Sequence, residues 1–65
     1  MSIKIGTVFD FEHAAGITRW KVKEKDNRYF DTYICVAIEC VKGTHTSIGS
    51  IGYYGSKDIN EGLVK

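Results

Sequence analysis

Apolar and polar residues alternate with a period of two along the first half of the chain, which predicts β-strands. Residues 17–25 place Trp20 and Val22 on one face and a row of cations on the other. Residues 3–11 place several apolar side chains on one face, namely Ile3, Ile5, Phe9 and Phe11. We expect each of these two segments to form a strand with one buried face.

Residues 29–42 carry the strongest strand pattern, and both faces of the predicted strand are partly apolar. The even-numbered face runs from Phe30 to Cys40, and the odd-numbered face runs from Tyr33 to Val41. This pattern predicts either a central strand covered on both sides or a strand that bends sharply and serves two sheets.

The turn between the second and third strands is predicted from their register. An odd-length loop within residues 26–30 pairs Trp20 with Ile34 or Val36, and it sets Asp31 opposite a lysine. A slip of one residue would invert every side chain, so we expect the odd-length loop.

Glycines recur at short intervals in the last third of the chain. Residues 46–54 read as a glycine-rich strand in which Gly49 and Gly52 could mark a bend. A short helical turn is expected near 56–60, with Ser56 as its cap and Ile59 plugging the end of the fold, and residues 62–65 could add a last short strand.

The two cysteines lie within the third predicted strand. Cys35 and Cys40 would face opposite sides and stand ~16 Å apart along a strand, which is too far for a disulfide. We therefore expect both thiols to be reduced and at least one of them to lie in the core.

Composition points to one small globular domain over residues 1–65. Lys and Arg number 9 against 8 Asp and Glu, which gives a net charge of +1, and 43% of the residues are hydrophobic. No apolar run approaches the ~18 residues of a membrane span, and the first ten residues do not resemble a signal peptide. We expect a cytoplasmic protein, and a phage or mobile-element origin would suit so short a chain.

Two stretches resemble the Src-homology-3-like small β-barrel. TVFDFE at 7–12 is similar to the first strand of that family, and GSIGYYGSKDI at 49–59 is similar to its closing strand and helical turn. The resemblance implies an all-β, five-stranded small barrel or strongly bent antiparallel sheet. The family's proline-peptide groove is not implied, because Gly55 stands where its proline would be and Trp20 lies in the second segment.

Catalytic and metal chemistry have little support in the sequence. The spacing of the histidines and cysteines does not match a zinc site, so we expect no metal and treat His13 and His45 as solvated loop residues. Cys35 lies among apolar neighbours that would not activate a thiolate, and no phosphate-binding loop is present. We expect no cofactor and no enzymatic activity.

A basic stripe is the sharpest polar feature. Its members repeat along the second strand and continue into the turn: Arg19, Lys21, Lys23, Lys25 and Arg28. The stripe could follow a phosphate backbone, with Tyr33 as a stacking platform, or it could contact an acidic protein. A plain solvated sheet face is the competing interpretation.

Exposed tyrosines form the second candidate surface. The interior cannot hold four tyrosines alongside Phe9, Phe11, Trp20 and Phe30, so some rings must reach solvent. Tyrosine is enriched at protein interfaces, which makes Tyr33, Tyr53 and Tyr54 candidate contact residues.

The leading hypothesis is a non-catalytic protein-binding module, a small regulator or inhibitor that docks on a larger protein. The first alternative is a nucleic-acid-binding barrel that uses the basic stripe. The second is a homo-oligomer building block, which follows if the second apolar face of the third strand is left uncovered.

Overall fold

A computed structural model describes residues 3–43 and 47–64. Within them the chain forms β1 (Val8–His13), β2 (Gly16–Lys25), β3 (Thr32–Gly43), β4 (Ile51–Gly55) and the helix α1 (Ser56–Glu61). The strands make one antiparallel sheet in the order β1-β2-β3-β4. The predicted all-β architecture and the helical turn near 56–60 are therefore confirmed. No helix in these ranges is long and apolar enough to cross a membrane.

The described residues contain four strands rather than the predicted five, and the sheet does not close into a barrel. The segment after α1 adds only one antiparallel bridge, from Leu63 to Phe9. Beside it, the Asp10 N–H donates to the Gly62 carbonyl at 2.7 Å. A side chain at Gly62 would overlap the Asp10 carbonyl oxygen, so only glycine allows this close approach.

The first strand begins later than predicted. Residues 3–7 make a turn, in which the Thr7 N–H donates to the Lys4 carbonyl at 3.1 Å and Gly6 adopts a φ of 93°. The turn takes Ile5 out of the predicted buried face and leaves its side chain 62% exposed.

Strand pairing also corrects the predicted hairpin register. Trp20 pairs with Ala37 and Val22 pairs with Cys35, rather than with the even-numbered residues of β3. The cause is a β-bulge, because the pairing passes over Lys23 and so gives β2 one extra residue. The odd-numbered face of β3 therefore turns toward the core.

The β2–β3 connection extends to residue 31, beyond the predicted bounds of 26–30. The pairs next to it, Lys25 with Tyr33 and Glu24 with Ile34, keep the parity of an odd-length loop, as predicted. Lys25 pairs with Tyr33 rather than with Asp31. Asp31 instead adopts a left-handed φ of 57° and accepts a 2.7 Å hydrogen bond from the Ser56 hydroxyl. Ser56 thus ties the loop to α1 and does not cap the helix as predicted, since no side-chain hydrogen bond caps α1.

The core lies between the inner face of the sheet and α1. Every element except β4 contributes a fully buried apolar side chain, and the buried set is Phe9, Trp20, Val22, Cys35, Ala37 and Ile59. The predicted burial of Trp20 and the plugging role of Ile59 are confirmed.

An aromatic cluster completes the core from β4. The Tyr54 ring centroid lies 5.4 Å from that of Phe9, 4.8 Å from Phe11 and 5.0 Å from Trp20. Gly52 makes room for this packing, because a Cβ there would meet the rings of Trp20 and Tyr54. Tilted and edge-on contacts of this kind add to the stabilisation from burial.

The two phenylalanines Phe9 and Phe30 test this core directly. Replacing Phe9, which is fully buried, with Ala should cost ~3–5 kcal/mol, as much as the whole stability of a domain of this size. Phe30→Ala is the matched control, because the side chain is 98% exposed despite its predicted place in the interior. Circular dichroism and urea unfolding should find Phe9→Ala unfolded and Phe30→Ala native. A folded Phe9→Ala protein would contradict this core.

Cys35 and Cys40 form no disulfide with each other, as predicted, and their surroundings differ. Cys35 is buried, and the loss of hydration raises its pKa to about 11, whereas Cys40 is exposed. Iodoacetamide at pH 8 should therefore alkylate the native chain once, at Cys40, and twice in denaturant, as read by mass spectrometry. Native Cys40→Ser protein should take up no label. Rapid double labelling of the native chain would contradict the burial of Cys35.

Candidate functional site

The sheet leaves one face, which we call the outer face, pointing away from the core. It is formed by side chains of three neighbouring strands, Lys21 of β2, Ile34 and Val36 of β3, and Ile51 and Tyr53 of β4. Val36 stands in register with both Lys21 and Ile51, and Ile34 stands in register with Tyr53. The second apolar face of β3 is thus turned outward and uncovered in the described chain.

A groove of about 410 Å³ opens on the outer face. Ile5 and Ile51 line it, 62% and 48% exposed, together with Val36. Lys21 and Lys23 supply its charged lining. The groove therefore combines apolar surface with two cations, which lie two residues apart on the same strand.

The basic stripe predicted from the sequence is not continuous. Arg19 pairs with Asp10 at 2.8 Å and lies 3.7 Å from the Glu39 carboxylate. The hydrogen bonds that the Arg19 guanidinium donates to Asp10 are the main cause of the raised pKa of Arg19. Lys21 and Lys23 are exposed beside the groove, so the stripe divides into an ion-paired end and a groove-lining end.

The other two predicted cations belong to the β2–β3 loop. The Lys25 ammonium donates to the carbonyls of Asp26 and Tyr29 at 3.2 and 3.1 Å, and it lies 5.3 Å from the Tyr33 ring centroid. Arg28 is held by Asp26, with its Nε 3.3 Å from one carboxylate oxygen and its Nη2 3.4 Å from the other. Both side chains therefore organise the loop.

Asp26 is the anchor of this loop. Its side chain is only 2% exposed, and it accepts the Arg28 backbone N–H at 2.9 Å in addition to the guanidinium. The backbone hydrogen bond, followed by the side-chain bond, lowers the pKa of Asp26. A small buried carboxylate with these donors fixes the position of the arginine above the sheet.

The three predicted tyrosines have different surroundings. Tyr53 is 54% exposed on the outer face, and the Arg28 guanidinium carbon lies 5.9 Å from its ring centroid. Tyr33 is half-buried and packs against the core, beside Lys25. Tyr54 is also partly buried and packs within the aromatic cluster of the core, and its role as a contact residue stays a prediction.

Several surface residues were missed in the sequence analysis. Ile5 was predicted to be buried and Ile51 was not singled out, because the turn before β1 and the register of β4 are not visible in a period-two pattern. The loop also exposes Tyr29 and Phe30, and Arg28 lies 5.6 Å from the Tyr29 ring. A run of two aromatics beside an arginine within a turn was the available signal for this part of the surface.

Few side chains in the described ranges are placed to bind a metal ion. No cluster of three or more His, Cys, Asp or Glu side chains there could hold a metal ion. His13 ends β1, is half-buried and shares a 2.8 Å hydrogen bond with the Thr18 hydroxyl, so it is not a solvated loop residue, and His45 lies outside the described residues. A second groove of about 310 Å³ has an acidic lining, formed by Asp10, Glu12, Asp58 and Glu61.

Comparisons of the chain with protein-family models, curated proteins and solved structures found no match. What the chain does is therefore inferred from its residues and their geometry. The outer face, with its groove and the adjoining Arg28 and Tyr53, is the candidate functional site.

The Asp26 anchor should make stability depend on pH in a defined direction. Because folding lowers this pKa, the ionised carboxylate stabilises the fold above its unfolded value of ~3.9, and the effect is lost as pH falls through the folded pKa. Asp26→Asn should therefore lower the thermal midpoint at pH 7, and the difference from the wild type should shrink below pH ~4.

Glu24→Gln is the matched control for this measurement, because Glu24 is an exposed carboxylate on the same hairpin. Its thermal midpoint should follow the wild type across the pH range. A wild-type-like midpoint of Asp26→Asn at pH 7 would contradict the anchoring role.

Proposed function

We propose that this chain is a non-catalytic protein-binding module, a regulator or inhibitor that docks on a larger protein through the outer face. The observation that carries the proposal is the open groove of about 410 Å³ between Ile5 and Ile51. Apolar surface left in water on so small a domain favours association, because covering it releases hydration water.

The contact chemistry fits a protein partner. Fully burying an isoleucine contributes ~1.5–3 kcal/mol, so Ile5 and Ile51, each about half exposed, would contribute on the order of 1 kcal/mol each. Arg28 and Tyr53 belong to the residue types that dominate binding energy at interfaces. Since Asp26 already fixes Arg28, a partner would meet an ordered arginine at lower entropic cost.

A nucleic-acid ligand has weaker support. Arg19 and Arg28 are neutralised by neighbouring carboxylates, and apolar Val36 and Ile51 continue the row that begins at Lys21. The acidic second groove would repel a polyanion that followed the surface around β1.

At the level of the fold, we propose that residues 62–64 act as a last, fifth short strand of a Src-homology-3-like small barrel. The bridge between Leu63 and Phe9 supports this, as does the 3.2 Å hydrogen bond from the Val64 N–H to the Val8 carbonyl. The order of β4 followed by a short helix is what the resemblance implies.

A capture experiment in extract of the native host tests the docking function. Immobilised wild-type protein should retain a partner that Ile51→Asp loses, because a carboxylate in the groove would have to be desolvated on binding. Val41→Asp is the matched control, since Val41 is 40% exposed on β3 and does not line the groove. Mass spectrometry and circular dichroism would identify the partner and check both folds.

Two outcomes would contradict the proposal. Equal capture by wild type and Ile51→Asp would remove the groove from the binding surface. Sub-micromolar binding of generic DNA or RNA at 150 mM salt, lost in Lys21→Glu with Lys23→Glu, would favour the nucleic-acid alternative.

A further inference from the structure

We propose that the partner segment seated in this groove is acidic and amphipathic, with an apolar side chain between Ile5 and Ile51 and carboxylates on Lys21 and Lys23. This inference rests on the proposed docking function and specifies the chemistry of the partner. It follows from the positions of the two lysines relative to the apolar side chains.

Lys21 has an apolar residue in register with it on each adjacent strand, Val8 on β1 and Val36 on β3. It stands in register with Val36, which is in turn in register with Ile51, and all three line the groove. Any occupant that covers Val36 and Ile51 must also desolvate part of Lys21. Desolvating an ammonium is costly unless an anion pairs with it, so the occupant needs a carboxylate next to its apolar side chain.

Lys23 adds a second positive charge to the same groove. Asp10 and Glu39 do not compensate it within the lining, because both carboxylates are engaged with Arg19. Glu24 stands in register with Ile34, one row away, and is not part of the lining. The charge of the lining is therefore +2, which selects an anionic partner.

The same lysines disfavour a second copy of this chain as the occupant. A two-fold dimer places the same patch on both sides of the interface, so both copies of Lys21 and Lys23 would be enclosed in one contact. Like charges juxtaposed in a desolvated contact cost several kcal/mol. A self-association through the outer face would therefore have to bury four lysines without a carboxylate in the groove.

The probes are two 14-residue peptides with acetylated and amidated ends and with leucines at identical positions. The residues beside the leucines are glutamates in one peptide and lysines in the other. Amide shifts of ¹⁵N-labelled protein report affinity and binding site. The glutamate peptide should bind at least ~10-fold more tightly than the lysine peptide and shift Lys21, Val36 and Ile51. Raising the salt should reduce this preference.

Charge reversal provides the decisive comparison. The double variant Lys21→Glu with Lys23→Glu should bind the lysine peptide more tightly than the glutamate peptide. Lys57 is exposed on α1 and lies outside the groove, so Lys57→Glu should keep the preference for the glutamate peptide. Both variants are surface changes, and circular dichroism confirms that each is folded. Ile51→Ala should weaken both peptides, because it removes the apolar contact common to them.

Three results would overturn the inference. These are equal binding of the two peptides, shifts that map away from the groove, and a concentration-dependent dimer that Ile51→Asp dissociates. The proposed function is judged separately by capture in host extract. A partner lost by Ile51→Asp, with no charge preference in the peptide titration, would retain docking and reject only the acidic partner.

Discussion

The pairing of β2 with β3, including the bulge at Lys23, is the constraint on which the rest of this structure depends. By passing over Lys23, the register sets Trp20 against Ala37 and Val22 against Cys35. Small side chains on β3 thereby face the two large ones on β2, which lets the inner face pack densely. The same shift turns the larger β-branched residues of β3 outward. The register of β2 with β3 therefore determines both the packing of the core and the lining of the outer groove.

The end of the chain completes the inner face. Ile59 of α1 is fully buried, and Tyr54 of β4 packs against Phe9 and Trp20. Glycine at position 62 permits the backbone to approach β1 closely enough for a hydrogen bond. In a domain with few core residues, these C-terminal contacts supply burial that the four-stranded sheet alone would lack.

The β2–β3 loop connects the core to the outer face. Buried Asp26 holds Arg28 next to Tyr53, and Asp31 accepts a hydrogen bond from Ser56 at the start of α1. The loop is thus tied to the sheet on one side and to the helix on the other. An interface that extends from the groove to this loop would meet side chains that are already ordered before binding.

The sequence by itself determined the all-β architecture, the inward position of Trp20, the separation of the two cysteines and the buried Ile59, because period-two alternation and bulky apolar residues constrain these locally. It also identified Lys21, Lys23 and Tyr53 as surface residues. Only the tertiary structure decided which face of β3 is buried. A bulge has a small local cost in free energy, and its position is fixed by packing between strands that are distant in the chain. The one unpaired residue exchanges the buried and exposed faces of β3, and the sequence of β3 is compatible with either arrangement.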